Sequence, residues 1–225
     1  MRSTSIEDYI KTIYMLEAEH QRATTQRIAK QMDVRMASVT GMVKHLAAEG
    51  YVRHKPYHGV KLTDKGRQVA LQMIRRHRLI ELFLHNTLGI DWDEVHDDAE
   101  VLEHAVSDKL IERIYLYLGK PDFDPHGAPI PKDDGSFEPL NVLPLIELEI
   151  DQPTEIVHVS DSDAEFLRYL TRIGLKIGSP VIVSEKEPFD GPITLRSGQE
   201  KIAIGCEAAR RIFVAQPGPA KPARA

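Results

Sequence analysis

The chain has 225 residues, 42% of them hydrophobic and 28% charged, with a formal net charge of −5 at pH 7 and one cysteine. That length suits more than one domain, each with apolar residues enough for a core, while the lone Cys206 excludes an internal disulfide, a thiolate zinc cluster and a dithiol redox pair. No secretory leader follows Met1 and no apolar run is long enough to span a bilayer, so the expectation is a soluble, cytoplasmic protein without a membrane partner.

The net charge hides an asymmetry. Residues 1–80 carry 15 Lys/Arg against 7 Asp/Glu, leaving +8, whereas the remainder carries 14 against 27, leaving −13. A basic amino-terminal module suits a polyanion such as nucleic acid, and an acidic remainder offers carboxylates to cations.

Ser5 precedes an amphipathic run, Ile6 to Ala18, that places Ile6, Ile10, Ile13, Tyr14 and Leu16 near one helical face. Thr25 is placed to cap a short second helix holding Ile28, Ala29 and Met32, which Asp33 breaks. A third helix then turns Val39, Val43, Leu46 and Ala47 inward. Short helix, tight turn and amphipathic helix make a helix-turn-helix. Glu49-Gly50-Tyr51-Val52 ends the third helix and starts a strand, Pro56 to Gly59 turns, and Val60-Lys61-Leu62-Thr63 returns as a β-hairpin wing; Thr63, Asp64 and Gly66 open the next helix. Helix-turn-helix geometry is common, so the polar residues must identify the partner. Arg27, Arg35, Ser38, Thr40 and Lys44 lie on the second and third helices, the last four at the start and outer face of the third, while Arg53, Lys55, Tyr57, His58 and Lys61 decorate the wing. Double-stranded DNA is the expected partner.

In the middle of the chain His77 and Glu81 stand four residues apart, and His96, Glu100 and His104 repeat that spacing with Glu103 beside them. In a helix such pairs converge, which is how helical proteins present nitrogen and oxygen donors to a divalent cation. For any one pair a solvated acidic face is the ordinary explanation. The set is interleaved, however, with Val95, Val101, Leu102, Ala105, Val106, Leu110 and Ile114, so part of the stripe must border a buried face. After a Pro- and Gly-rich connector from Pro121 to Pro144, strands are expected at Glu155–Val159, Pro180–Val183, Ile193–Leu195 and Ile202–Ile204. A single helix is expected from about Asp161 to Arg172, ending near Gly174, with Cys206 a small buried residue in a strand. The Pro- and Ala-rich tail, 217–225, is expected to be disordered.

Glu7-Asp8-Tyr9-Ile10 with Ile13-Tyr14, Ser38-Val39-Thr40, Leu62-Thr63-Asp64-Lys65-Gly66, Arg76-His77-Arg78-Leu79, Val95-His96-Asp97 and Glu103-His104 form a spaced set far more specific than any one motif in it. Pro125-His126-Gly127 with Pro129-Ile130-Pro131 continues it into the connector. Over about the first 140 residues the chain resembles the diphtheria toxin repressor family of metal-dependent transcriptional regulators, particularly its manganese transport regulator branch. The resemblance implies a mainly α fold with β: a winged helix-turn-helix over 1–64, a metal-binding and dimerisation helical domain with its connector over 65–143, and a small SH3-like barrel over 144–216.

It further implies one metal site from Asp8, Glu100, Glu103 and His104 with His77 close by, and a second that includes Glu81. Candidates to complete the second are His96, Asp124 and His126, with Asp161 and then Asp163 from the third module. Each has a plainer reading: His126 can stiffen a turn beside Pro125, His96 stands at a helix start, Asp161 looks like a helix N-cap, and Glu81 can pair with Arg78. Lys11 stands where smaller manganese regulators place a second acidic residue one turn after Asp8, which favours two separated sites over a close binuclear pair. Iron-responding relatives have methionine at the position of Asp8 and cysteine at that of Glu100; oxygen at both suits Mn²⁺, with Fe²⁺ the alternative. The implied function is a homodimeric, metal-dependent repressor of metal-uptake genes on a palindromic double-stranded operator, with Asp8 linking the DNA-binding module to the metal helices. A hydrolytic metalloenzyme is the rival from another class, but nucleophile motif, phosphate-cradling loop and substrate-pocket set are all missing from the sequence. A winged-helix regulator with a non-metal ligand is the other alternative.

Overall fold

The structure is a computed structural model, and it describes residues 4–20, 22–55 and 59–216. Helix α1 spans Thr4–His20, α2 Thr25–Gln31 and α3 Met36–Ala48. Ser5 thus lies inside α1 rather than ahead of it. The cap of α2 is Thr24, not Thr25: an N-cap needs extended backbone, which Thr24 has, and its Oγ1 accepts the Arg27 amide at 3.2 Å. Asp33, at φ 50°, takes the left-handed conformation that turns the chain out of α2. Ile10, Ile13, Ile28, Val39, Val43 and Leu46 are fully buried together, which is why the apolar spacing of three short helices yields one core.

Strand β1, Val52–Lys55, pairs antiparallel with β2, Gly59–Leu62, in a register running from Val52 opposite Leu62 to Lys55 opposite Gly59. Tyr57 and His58, the Pro56 turn and the side chain of Lys55 lie outside the described residues, as does 217–225. Helix α4, Asp64–Leu88, packs so tightly against the residue before β1 that a Cβ on Gly66 would stand 2.1 Å from the Tyr51 carbonyl oxygen. Only glycine permits that approach. Helices α5, Val95–Ala105, and α6, Asp108–Tyr117, follow.

Two compact units are distinguished, and the boundary between them cuts α4, α5 and α6: 1–80, 100–113 and 130–137 form one, and 81–99, 114–129 and the described residues from Glu138 onward form the other. The second unit holds a six-stranded antiparallel sheet in the order β3-β8-β4-β5-β6-β7, with β3 at Val142–Pro144, β4 at Pro153–Val159, β5 at Pro180–Lys186, β6 at Ile193–Ser197, β7 at Glu200–Ile204 and β8 at Ile212–Ala215. Register shifts at Ile156/His158 and Val183/Glu185 bend the sheet around Leu145, Ile156, Leu170, Leu195 and Val214. Helix α7 spans Ala164–Arg172 and closes this core with Phe166, Leu167 and Leu170. It starts later than expected, and its N-cap is Asp163, whose Oδ1 accepts the amides of Glu165 and Phe166 at 3.0 and 3.3 Å. Cys206 is not in a strand: it opens a short helix, α8 (Cys206–Arg210), and its Sγ donates to the Gly191 carbonyl at 3.0 Å. No described helix is long and apolar enough to cross a membrane.

Candidate metal centre and nucleic-acid interface

In the first unit, α1, α4 and α5 bring acidic, basic and imidazole side chains together. His104 Nε2 lies 2.8 Å from Asp8 Oδ1 and 3.7 Å from Glu103 Oε1, while its Nδ1 lies 3.0 Å from Glu7 Oε2. Glu103 is fully buried and its Oε2 is 2.6 Å from His77 Nδ1. One donor atom from each of Asp8, Glu103 and His104 falls within 4.8 Å of the other two, a spacing that fits a shared cation. Burial pushes the Asp8 carboxyl above its ordinary value; His104 opposes that, Glu100 and Glu103 add to it, and Lys11 opposes it. The end of α5 is fixed by Arg76, whose Nη1 donates to the carbonyls of Glu103 (3.2 Å) and Val106 (3.4 Å) and whose Nη2 pairs with Asp108. A guanidinium on the last carbonyls of a helix is favourable and holds Glu103 and His104 in place. Glu100 is half-buried, its side chain 41% exposed, and its Oε1 lies 3.8 Å from His77 Nδ1.

In the second unit, Glu81, Asp124, His126 and Asp161 each offer a donor within 4.8 Å of the others. His126 is fully buried, stacked on Trp92 with ring centroids 5.9 Å apart, and its Nε2 stands 2.8 Å from the Trp92 carbonyl. Because a carbonyl only accepts, Nε2 carries the proton and Nδ1 presents its lone pair. That Nδ1 has no hydrogen-bond partner among the described residues, and it faces Glu81 Oε2 at 3.9 Å and Asp161 Oδ2 at 4.0 Å. A buried lone pair held just beyond hydrogen-bond reach of two carboxylates fits a cation between them. Asp124 Oδ1 accepts the amides of His126 and Ala128, both at 2.9 Å, which shapes the loop carrying the imidazole. His96, 45% exposed, lies 3.3 Å from Glu81 Oε1. Asp163 is not part of the group: it caps α7, and a hydrogen bond from Arg211 at 3.0 Å holds its carboxyl below the ordinary range. Asp161, which looked like the cap, is thereby left for the cluster.

On the winged module, Arg27, Arg35, Ser38, Thr40, Lys44, Arg53 and Lys61 are all exposed. Val39, Val43 and Leu46 anchor the inner face of α3, so its outer face is offered whole. Two of these residues are engaged locally: Thr40 Oγ1 donates to the Met36 carbonyl at 2.9 Å, and Arg27 Nη1 donates to the Arg22 carbonyl at 3.3 Å.

Residues 1–60 match the N-terminal DNA binding domain of the iron dependent repressors, 63–132 their metal binding and dimerisation domain, and 143–216 the FeoA domain. The iron-dependent repressor IdeR of Mycobacterium leprae (strain TN) is 30% identical over 221 residues, 92% of this chain and 95% of that one. The chain belongs to the iron-dependent, or diphtheria toxin, repressor family. The transcriptional regulator MntR of Bacillus pumilus (strain SAFR-032), at 40% identity over 114 residues, covers 51% of this family member and 78% of its own length. A solved structure described as a manganese-dependent transcriptional repressor in complex with manganese is 38% identical, with a TM-score of 0.86 over 94% of this chain and 100% of that one.

The family member is thus a metal-dependent, DNA-binding transcriptional repressor built as a helix-turn-helix domain, a helical dimerisation domain and a β-rich FeoA module. Family membership also names a divalent metal as the ligand class and transcriptional regulation as the task. Two residues of the first cluster escaped the sequence reading. Glu7 gave only the signal of being acidic beside Asp8, and Lys11, one helical turn on from Asp8, was read as a missing ligand rather than as a group inside the cluster.

Proposed function

We propose that this repressor is activated by manganese, acts as a homodimer on a palindromic double-stranded operator in the cytoplasm, and controls metal-uptake genes. The observation that carries the proposal is the 2.8 Å contact of Asp8 with His104, which ties the helix opening the DNA-binding region to the helix of metal donors. Asp8, Glu103 and His104, adjoined by Glu100 and His77, would hold one ion; Glu81, Asp124, His126 and Asp161, with His96 beside Glu81, would hold another. Every one of these donors is oxygen or nitrogen, which favours Mn²⁺ over softer ions and leaves Fe²⁺ as the competitor. When bound, the ion supplies the positive charge that offsets the mutual repulsion of the carboxylates.

The chain's own residues do the rest. Asp8 and Glu7 clasp His104, so the attitude of α1 depends on α5. Arg35, Ser38, Thr40 and Lys44 enter the major groove, Arg27, Arg53 and Lys61 meet phosphate, and Tyr57 and His58 are kept as further candidates for DNA contact. Two recognition helices must reach half-sites ~34–36 Å apart, or a multiple of that, so a small rotation of α1 changes whether both engage. The test is to quantify bound metal by plasma emission and measure affinity for a palindromic duplex selected from a randomised pool, with Mn²⁺ and after chelation. One ion per cluster and an affinity that collapses on chelation are expected; equal affinity in both conditions defeats the proposal.

A further inference from the structure

We propose that the Lys11 ammonium is a resident cation of the first cluster, filling the place of a second divalent ion and limiting that cluster to one. The inference rests on reading the cluster as a metal site. Lys11 Nζ lies 2.7 Å from Glu100 Oε1, 2.9 and 3.0 Å from the two oxygens of Glu103, and 3.3 Å from His77 Nδ1. Three carboxylate oxygens therefore converge on one nitrogen, with the His77 ring beside them and turned to the same Glu103 carboxylate. The geometry is that of a coordinated cation, and the group is inside: the Lys11 side chain is 15% exposed and that of Glu103 is fully buried. An exposed lysine–glutamate pair contributes little to stability or specificity. A buried carboxylate shared between an ammonium and an imidazole is a fixed part of the site.

The contacts divide the cluster into two halves with Glu103 common to both. On one side, Asp8, Glu103 and His104 face one another with donor atoms inside 4.8 Å. On the other, Glu100, Glu103 and His77 face Lys11. Charge favours the single ion. With the ammonium and one divalent ion the carboxylates of Glu7, Asp8, Glu100 and Glu103 keep a single net negative charge, whereas a second divalent ion would turn the sum positive and set it directly against the ammonium in a poorly solvated place. The stem of Lys11 starts one turn beyond Asp8 on the same face of α1, so its head group is delivered to the cluster by the same helix that carries a metal donor. The same contacts give the metal-free chain partial charge neutralisation where its carboxylates would otherwise repel one another.

The full-length protein tests this with Mn²⁺ as the probe. Calorimetric titration counts bound ions, and electron paramagnetic resonance distinguishes isolated from exchange-coupled Mn²⁺. Saturated wild-type protein should show isolated ions alone, and Lys11→Glu should take up one more ion per chain and show a coupled pair. A coupled pair in the wild type, or no gain in Lys11→Glu while the original ion still binds, overturns the proposal. If Glu103→Ala leaves the number of bound ions unchanged, the metal reading itself is wrong and the proposal falls with it. Lys11→Gln, which removes the ammonium without introducing a carboxylate, covers the case in which Lys11→Glu fails to fold: its melting temperature in chelator should fall below that of the wild type, and Mn²⁺ should raise it by a larger increment. Equal melting temperatures and equal increments overturn the resident-cation role.

Discussion

Glu7 Oε2 stands 3.0 Å from His104 Nδ1, on the opposite side of the ring from Asp8. A carboxylate on each ring nitrogen holds the imidazole in one orientation, with Nε2 facing Asp8 and Glu103. Glu7→Ala should weaken Mn²⁺ binding by ~10–100-fold, the usual range for losing such a partner, and Glu7→Gln, which still accepts a hydrogen bond, should recover part of it. Calorimetric titration of both variants checks this; equal affinities for Glu7→Ala and wild type would show that the contact orients nothing.

Asp8→Met exchanges a hard donor for a soft one. Binding through Glu103 and His104 should persist, while the ranking of metals shifts away from Mn²⁺ toward ions that accept sulfur. DNA affinity measured with Mn²⁺, Fe²⁺ under anaerobic conditions and Co²⁺ reads the ranking directly. An unaltered order with full Mn²⁺ response would reduce Asp8 to a first-turn carboxylate complementing its helix dipole, a role worth ~0.3–1 kcal/mol.

The raised Asp8 pKa has a defined sign. The folded chain holds that proton more tightly than the unfolded chain, whose value is the ordinary 3.8. Protonated Asp8 therefore stabilises the metal-free fold as pH falls through the raised value toward 3.8, and this stabilisation is absent at neutral pH. In chelator, Asp8→Asn should melt above wild type at neutral pH, and the gap should shrink on acidification through that window. A gap independent of pH would count against burial as the cause.

DNA binding should depend steeply on salt, because each phosphate neutralised contributes about −0.9 to the slope of log K against log salt concentration. Lys44→Ala should flatten that slope by roughly 1 for each protomer that loses a phosphate contact. A wild-type slope near zero on any duplex would rule out the footprint on α3 and the wing.

The family and the three-part order were legible because they depend on local patterns: apolar residues at helical spacing in α1 to α3, alternation in β4 to β7, and motifs at fixed offsets. The histidine and carboxylate stripe of α5 was legible for the same reason. What the sequence hid was tertiary. Lys11 meets Glu100 across 89 residues, and no periodicity connects an ammonium on α1 to carboxylates on α5. Asp161 and Asp163 are equivalent as letters, and only the extended backbone at 163 decides which one caps α7. The short β3, with its proline, and β8 find their meaning in pairing with each other and with β4.

The loop that carries Asp124 and His126 is stitched to strand β4. The Val159 amide donates to the His126 carbonyl at 3.0 Å, and a Cβ on Gly127, whose φ is +82°, would stand 1.9 Å from the Val157 carbonyl oxygen. Asp124 and His126 therefore cannot shift without dragging β4, and β4 cannot breathe without disturbing them. Occupancy should be legible from a distance in hydrogen exchange: the Val159 amide becomes a gauge of how firmly His126 is held, protected when the cluster is filled and quicker to exchange when it is stripped.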